Sequence, residues 1–536
     1  MRILIIILFL IPIISFAQTK DYKNYDRAVK YNNEGNIVKA IKYANKALEK
    51  ASDWSRPNLL LASIYANNNQ IVLAADYLLK VYDENALNDV RGIEQVAELF
   101  YNNGFYKKAL YYAKKIISNN IEDQIFKSKI IRYIENCNFA INEIKNPINF
   151  SARNIGESVN TKMTEYVNAI SVDAKNIFFT RRIESKKNRD QEDLFIFDIL
   201  SNTVSQLPFN TIQNEGAITV SADGSMYVYT ACDRINSIGG CDLYIREYSQ
   251  KNGWSKEYNL GANINTNKWE SQACFSPDEK YLYFISNRNG GFGKEDIWRS
   301  EITKKGFMPA ENLGSSINTS DDEMSPFLHP DNLTLYFASN GHIGMGNDDL
   351  FISRRPDNQQ EWGIPKNMGY PINTYKSENS LIVSSNGKTA YYTSNVSGFG
   401  KEDIFEFELP KNLQAEPLAT LEMEIITNKI GEEVILKNVI FASNSYDLEE
   451  NSFAELDKLI NYLKKNPNLK IEIQGHTDNV GTARENQILS EQRSNVVFEY
   501  LSSKVNNKLT HKGFGESQPL GNNRKINRRT SFIIIY

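Results

Sequence analysis

Lys470-Ile471-Glu472-Ile473-Gln474-Gly475-His476-Thr477-Asp478 reads as a strand running into a polar turn. Ile471 and Ile473 alternate with polar neighbours, the pattern of a strand with one buried face. Gly475 and residues 479–481 mark the turn. Thr482 is placed to cap a helix running to about Ser502. On that helix Leu489, Val496 and Tyr500 fall on one stripe, with Arg493 in its middle. A charge there is costly unless something pairs with it, and Asp478, leaving the strand beside the helix start, is the nearest candidate. Opposite charges at such a junction suit a zwitterion: Asp478 takes an ammonium and Arg493 a carboxylate in a bidentate fork. Asn486, about two turns before Arg493, adds amide hydrogen bonds. The alternative is that Asp478 and Arg493 form only a buried ion pair.

Over about 434–536 the sequence resembles the OmpA C-terminal, Pal-like, peptidoglycan-binding family. The resemblance rests on His476-Thr477-Asp478, Gly481, Asn486, Leu489-Ser490, Arg493, Gly513-Phe514-Gly515, Pro519 and Asn527-Arg528-Arg529, in family order. It implies a non-catalytic α+β domain that grips the diaminopimelate of the peptidoglycan stem peptide. Asp478 and Arg493 match the family's ligands, and Asn486, Thr477 and Gly481 complete the expected binding set. One departure stands out. The family has an acidic residue after the phenylalanine of its first strand, whereas Phe441 is followed by Ala442, which weakens a ligand role for that loop. Arg528 and Arg529 are expected to tie the last strand to the fold rather than touch ligand.

Upstream of this domain the chain repeats itself twice. From Tyr22 to about Ile144 the pattern is helical, with Gly35, Asn69 and Gly104 standing 34 and 35 residues apart. Ala40, Ala74 and Ala109 keep the same intervals, and Tyr31, Tyr65 and Phe100 precede each turn by four residues. The period resembles tetratricopeptide repeats, implying an all-α solenoid of three repeats over 18–146 with a capping helix near 122–140. Such a stack is either a plain scaffold or a groove for another protein.

From about 147 to 409 short strands rich in Tyr, Phe and Ile alternate with Gly, Asn and Asp turns. Turns marked by Asp173, Asp223, Asp278, Asp331 and Asn386 are 50, 55, 53 and 55 residues apart. Each precedes an aromatic strand. A connecting motif recurs as Asn259-Leu260-Gly261 with Ile264-Asn265-Thr266, and again from Asn312 and from Asn367. The units resemble TolB-like, WD-type repeats, implying an all-β propeller of about five blades. Residues 147–160 are a linker or the first edge of this region. Glu295-Asp296, Asp348-Asp349 and Glu402-Asp403 are expected to cap turns, with a bound cation as the alternative; no metal or cofactor is expected. No Ser-His-Asp set or carboxylate pair points to hydrolysis.

The whole chain bounds the rest. Its 536 residues are too many for one ordinary core, so a multidomain protein is expected, with a linker over 410–430 and the last domain over 431–536. A net charge of −4 argues against nucleic acid as a partner. Residues 1–17 read as a signal peptide, with Arg2, an apolar run and Ser15-Phe16-Ala17 before the cut. No later run is long enough for a transmembrane helix. Export permits disulfides, and Cys232 and Cys241 flank a turn they could bridge. The expected protein is a non-enzymatic periplasmic adaptor at the inner face of the outer membrane. It holds the peptidoglycan stem peptide and recruits envelope proteins through its helical repeats and propeller. The domain order resembles Bacteroidetes-type envelope proteins, including parts of type IX secretion and gliding machinery. The alternatives are a wall-tethered enzyme with a catalytic propeller and a passive spacer.

Overall fold

The computed structural model describes residues 20–83, 89–119, 121–183, 191–249, 251–356, 360–395, 398–415, 433–436, 439, 441, 445–448, 450–521 and 524–535. The expected signal segment, linker residues 416–430 and Ala442 lie outside them. Two compact units form, Met1–Glu416 and Pro417–Tyr536. Among the described residues no helix is long and apolar enough to cross a membrane.

The first unit begins with three helical hairpins: α1 (Tyr22–Asn33) with α2 (Ile37–Leu48), α3 (Ser55–Asn67) with α4 (Ile71–Leu78), and α5 (Val90–Tyr101) with α6 (Tyr106–Ile117). The longer α7 (Gln124–Lys145) follows. Gly35, Asn69 and Gly104 turn the hairpins at φ of 72°, 58° and 76°, a conformation open to glycine and tolerated by asparagine. Ala40, Ala74 and Ala109 are buried, because a methyl group is all that fits where paired helices meet. Each hairpin carries one stacked aromatic pair: Tyr31–Tyr43, Tyr65–Tyr77 and Phe100–Tyr112.

Five antiparallel sheets follow. After β1 (Arg153–Asn154), the first contains β2 (Glu165–Ile170), β3 (Asn176–Ile183), β4 (Gln191–Asp198) and β5 (Thr203–Gln206). The second holds β6 (Glu215–Val220), β7 (Met226–Cys232), β8 (Cys241–Ser249), β9 (Gly253–Trp254) and β10 (Tyr258–Asn259). The third holds β11 (Glu270–Phe275), β12 (Tyr281–Ser286), β13 (Asp296–Thr303), β14 (Gly306–Phe307) and β15 (Glu311–Asn312). The fourth is β16 (Glu323–Leu328), β17 (Thr334–Ser339), β18 (Asp349–Arg354) and β19 (Lys366–Asn367). The fifth is β20 (Glu378–Val383), β21 (Thr389–Ser394) and β22 (Asp403–Glu408), completed by β1. First strands neighbour one another in a circle: β2 meets β6, β6 meets β11, β11 meets β16, β16 meets β20, and β20 meets β2. The aromatic strand after each Asp or Asn turn is the second of its sheet, buried between its neighbours, and the strand before the turn lines the axis. Residues 153–154 are thus an edge strand, and by pairing with β22 they bring the start of the β region to its end.

One device joins each sheet to the next. Asn265 accepts from Leu243 N at 2.8 Å and donates to Leu243 O at 2.9 Å, imitating a strand beside the start of β8. The following Thr266 donates through its backbone N and Oγ1 to both oxygens of buried Glu270, which opens β11. Asn318, Thr319 and Glu323 repeat this, as do Asn373, Thr374 and Glu378. Two more sets, Asn160-Thr161-Glu165 and Asn210-Thr211-Glu215, make the same bonds. Asp296, Asp349 and Asp403 accept backbone N–H groups within their own loops. Cys232 and Cys241 are joined in a disulfide.

Helices and sheets share one core. Buried Met345 packs with Val96, Phe100, Tyr106 and Cys137. Tyr106 Oη donates to Met345 O at 2.9 Å, Gly344 N donates to Asn136 Oδ1 at 3.2 Å, and Arg132 pairs with Asp321. The expected border at 146/147 is therefore a packed joint within one unit.

The second unit contains β23 (Glu433–Ile435), α8 (Glu450–Lys465), β24 (Lys470–Gly475), α9 (Ala483–Ser502), β25 (Leu509–Gly513), α10 (Arg524–Asn527) and β26 (Thr530–Ile535). Its sheet runs β23-β26-β24-β25, with β24 and β25 parallel. Leu456, Leu459, Leu463, Ile471, Ile473, Val497, Leu501 and Phe532 fill its core. Two expectations change. The first strand, expected over 435–441 and so ending at Phe441, is described over Glu433–Ile435; 437, 438 and 440 lie outside the described residues, and Phe441 forms an isolated bridge to Leu448. The buried face of α9 is Asn486, Ser490, Arg493, Ser494, Val497 and Leu501, one residue on from the expected stripe apart from Arg493. The cause is close packing at Gly475, where a Cβ would lie 2.2 Å from Ser490 O. A helix that near the sheet presents its small residues.

Candidate functional site

The candidate site forms where β24 ends. His476 N donates to Arg529 O at 3.0 Å and Thr477 N to Gly515 O at 2.9 Å. Two backbone bonds therefore bring together the His-Thr-Asp, Gly-Phe-Gly and Asn-Arg-Arg segments, which lie far apart in sequence. Gly481, at φ 97°, turns the chain toward α9. Thr482 then caps that helix reciprocally: Glu485 N donates to Thr482 Oγ1, and Thr482 N donates to Glu485 Oε2.

Asp478 is only 6% exposed. Its Oδ1 accepts from Val480 N at 3.0 Å, and its Oδ2 lies 3.7 Å from Arg528 Nη1. Arg493 is 8% exposed. Its Nε donates to Ser445 O at 3.0 Å, and its guanidinium lies over the Phe441 ring, 5.0 Å from the centroid. Burial lowers the Arg493 pKa, the Arg528 charge lowers it further and Asp478 opposes both. Among the described residues Asp478 and Arg493 make no ion pair, and the two Nη groups of Arg493 make no hydrogen bond. Each charge is instead oriented by its own backbone partner. Thr477 Oγ1, also buried, has no hydrogen-bond partner among the described residues, an omission that costs about 1–3 kcal/mol unless something fills it. Asn486 Nδ2 donates to Glu516 Oε2 at 2.6 Å.

Behind the loop, His476 stacks on Phe514 with centroids 5.3 Å apart and lies 3.5 Å from Glu433. Burial, helped by the Arg529 charge, pushes its pKa down to about 4. The ring is therefore neutral at ordinary pH, a packing element of the loop. Arg529 donates to Glu433 at 2.7 Å and to Gln518 O at 3.1 Å, tying β26 to β23. Its neighbour Arg528 is 53% exposed along its side chain and leans toward Asp478. Sequence reading gives the two arginines one expected role; the turn between α10 and β26 separates them. Phe441, Ser445 and Glu516 also escaped it. The departure at Ala442 drew attention to that loop, but nothing local showed that its neighbours hold Arg493.

The five expected residues thus gather at one junction: Thr477, Asp478 and Gly481 in the loop, Asn486 and Arg493 on one face of α9. A carboxylate and a guanidinium, each with hydrogen-bonding capacity unused among the described residues, can hold a ligand bearing both charges.

Comparison with known proteins agrees with this domain. Residues 440–531 match the family model described as OmpA family, so the second unit carries an OmpA-like domain. Over 100 residues the chain is 36% identical to outer membrane porin F of Pseudomonas aeruginosa, covering 17% of this chain and 29% of that protein. It is 32% identical over 103 residues to the peptidoglycan-associated lipoprotein of Buchnera aphidicola, covering 18% of this chain and 60% of that one. The crystal structure of the peptidoglycan-associated lipoprotein from Burkholderia pseudomallei is 30% identical, with a TM-score of 0.17, covering 18% of this chain and 87% of that one. The chain spans less than two thirds of the length of the curated relatives.

Proposed function

We propose that the protein is a non-enzymatic envelope adaptor whose OmpA-like domain binds peptidoglycan non-covalently. The ligand is the zwitterionic end of a diaminopimelate side chain, its ammonium on Asp478 and its carboxylate on Arg493. Thr477 and Asn486 add hydrogen bonds, and Gly481 shapes the loop. The observation that carries this reading is that Asp478 and Arg493 are both nearly buried yet not paired with each other. The similarity to peptidoglycan-associated lipoproteins supports it. On this reading the protein lies in the periplasm, at the inner face of the outer membrane. Its helical hairpins are tetratricopeptide repeats and its ring of five sheets is a propeller. Both recruit envelope proteins, in an assembly of the type IX secretion or gliding kind. Because helices and sheets share a core, they present partners as one rigid body.

The test is sedimentation with purified peptidoglycan. The intact chain pellets with the wall, whereas Asp478→Ala and Arg493→Ala chains stay in solution with their unfolding midpoints little changed. Unchanged pelleting of both variants rejects the assignment. A second reading, a wall-tethered hydrolase acting at the ring of sheets, is favoured by half-buried acids on its rim. Glu295, Asp348 and Glu402 are raised by burial and by neighbouring carboxylates. Release of soluble wall fragments during the same incubation distinguishes it.

A further inference from the structure

The ring of sheets contains a cavity of about 240 Å³ where the first three sheets meet. Tyr166, Glu192, Asn214, Trp269, Ser271 and Gln272 contribute to its lining. Beyond it, past the shared Ala217 and Gln272, the axis narrows to a void of about 20 Å³ lined by strands of all five sheets. That is room for about one water. Gln272 Oε1 accepts from Ser325 N at 2.6 Å across this neck.

Its lining offers hydrogen bonds in both directions. Glu192 accepts from Tyr166 Oη and from Arg182 Nη2, each at 3.0 Å, which fixes the carboxylate. Asn214 Oδ1 is taken by Glu192 N, and Gln272 Oε1 by Ser325. Among the described residues, Asn214 Nδ2, Gln272 Nε2 and Trp269 Nε1 have no acceptor. Gly216 makes the close approach possible, since a Cβ there would lie 2.8 Å from Tyr166 Oη. Glu192, Glu295, Asp348 and Glu402 hold equivalent positions, each just before an Asp at the start of a third strand. The fifth equivalent position is Cys241, held in the disulfide beside the cavity. Four of the five equivalent positions on the rim are therefore acidic, with Glu192 paired to Arg182.

Two aromatic residues, fixed amide donors and an oriented carboxylate in a space smaller than a drug-sized pocket suit a small polyol with one apolar face. A pyranose ring fits that description: its hydroxyls meet the amides and carboxylate, and its C–H face lies on the aromatic wall. The acidic rim disfavours an anionic sugar. We propose that this cavity holds one neutral or amino-bearing pyranose ring, the end of a glycan. The site is separate from the OmpA-like domain and does not rest on its wall binding.

Isothermal titration of the full chain with glucosamine, N-acetylglucosamine and glucuronate tests this. The first two bind with a Kd on the order of 1 mM, as expected for one ring of about a dozen heavy atoms, and glucuronate gives no heat. Trp269→Ala weakens both by about tenfold or more, Trp269→Phe restores most of the loss, and Glu192→Gln weakens glucosamine alone. A Trp269 that only packed the wall would lower the melting temperature without this split between sugars and variants. Absence of heat from all three sugars, equal binding of glucuronate, or unaltered binding by Trp269→Ala overturns the proposal.

Discussion

Both units of the chain bury carboxylates, and they treat them oppositely. Glu165, Glu215, Glu270, Glu323 and Glu378 are completely buried between the sheets. Each accepts two hydrogen bonds from the threonine four residues before it. Asp478 is almost as deep but accepts one backbone N–H and faces Arg528 at 3.7 Å. Burial alone therefore does not mark a site in this molecule. An acid whose acceptors are all used holds the fold together, whereas one left short of donors is available to a ligand.

Removing a saturated acid should have the largest effect. Glu165→Ala strands Thr161 N and Arg181, both of which it binds. Loss of one partner of a buried pair costs about 3–5 kcal/mol, read by denaturant unfolding, while pelleting with peptidoglycan persists. A loss below about 1 kcal/mol would break the contrast.

Next comes His476, whose folded pKa of about 4 lies below its ordinary 6.5. Above pH 6.5 the ring is neutral in both states and stability is unaffected. As pH falls, the unfolded chain takes a proton that the folded one refuses, until both are protonated below pH 4. The OmpA-like domain should therefore lose about 3 kcal/mol between these limits. A pH series of unfolding curves checks this, and His476→Gln should flatten the slope.

The ligand pair follows. Asp478→Ala and Arg493→Ala should each weaken wall binding by about 1.5–3 kcal/mol, about tenfold or more, with little change in stability. A large stability loss with binding intact would place Asp478 beside the structural glutamates. The smallest effect is expected at half-exposed Arg528. Arg528→Ala should change wall affinity by less than about 1 kcal/mol, and less again in high salt.

The sequence by itself determined what depends on near neighbours. The left-handed turns at Gly35, Asn69 and Gly104, the buried alanines beyond them, the Asp turns before each aromatic strand and the Thr482 cap were all legible. Each is set within a few residues by φ, side-chain size or a local hydrogen bond. The motif that orders the C-terminal segments was also visible, which placed Thr477, Asp478, Asn486 and Arg493 in one neighbourhood before any geometry was known.

Tertiary structure alone decided the rest. Asn154-Ile155-Gly156 with Val159-Asn160-Thr161 is a fourth copy of the connecting motif, at the stretch expected to be a linker or first edge. That it pairs with β22, roughly 250 residues on, follows only from bringing the sheets round into a ring. The stripe of α9 moved by one residue because helix and strand touch at Gly475, and a sequence does not state interaxial distance. Arg528 and Arg529 are adjacent and chemically identical, yet one faces Asp478 and the other Glu433. Both lie in the turn between α10 and β26, and which of them reaches the ligand site is settled only when distant segments pack against that turn.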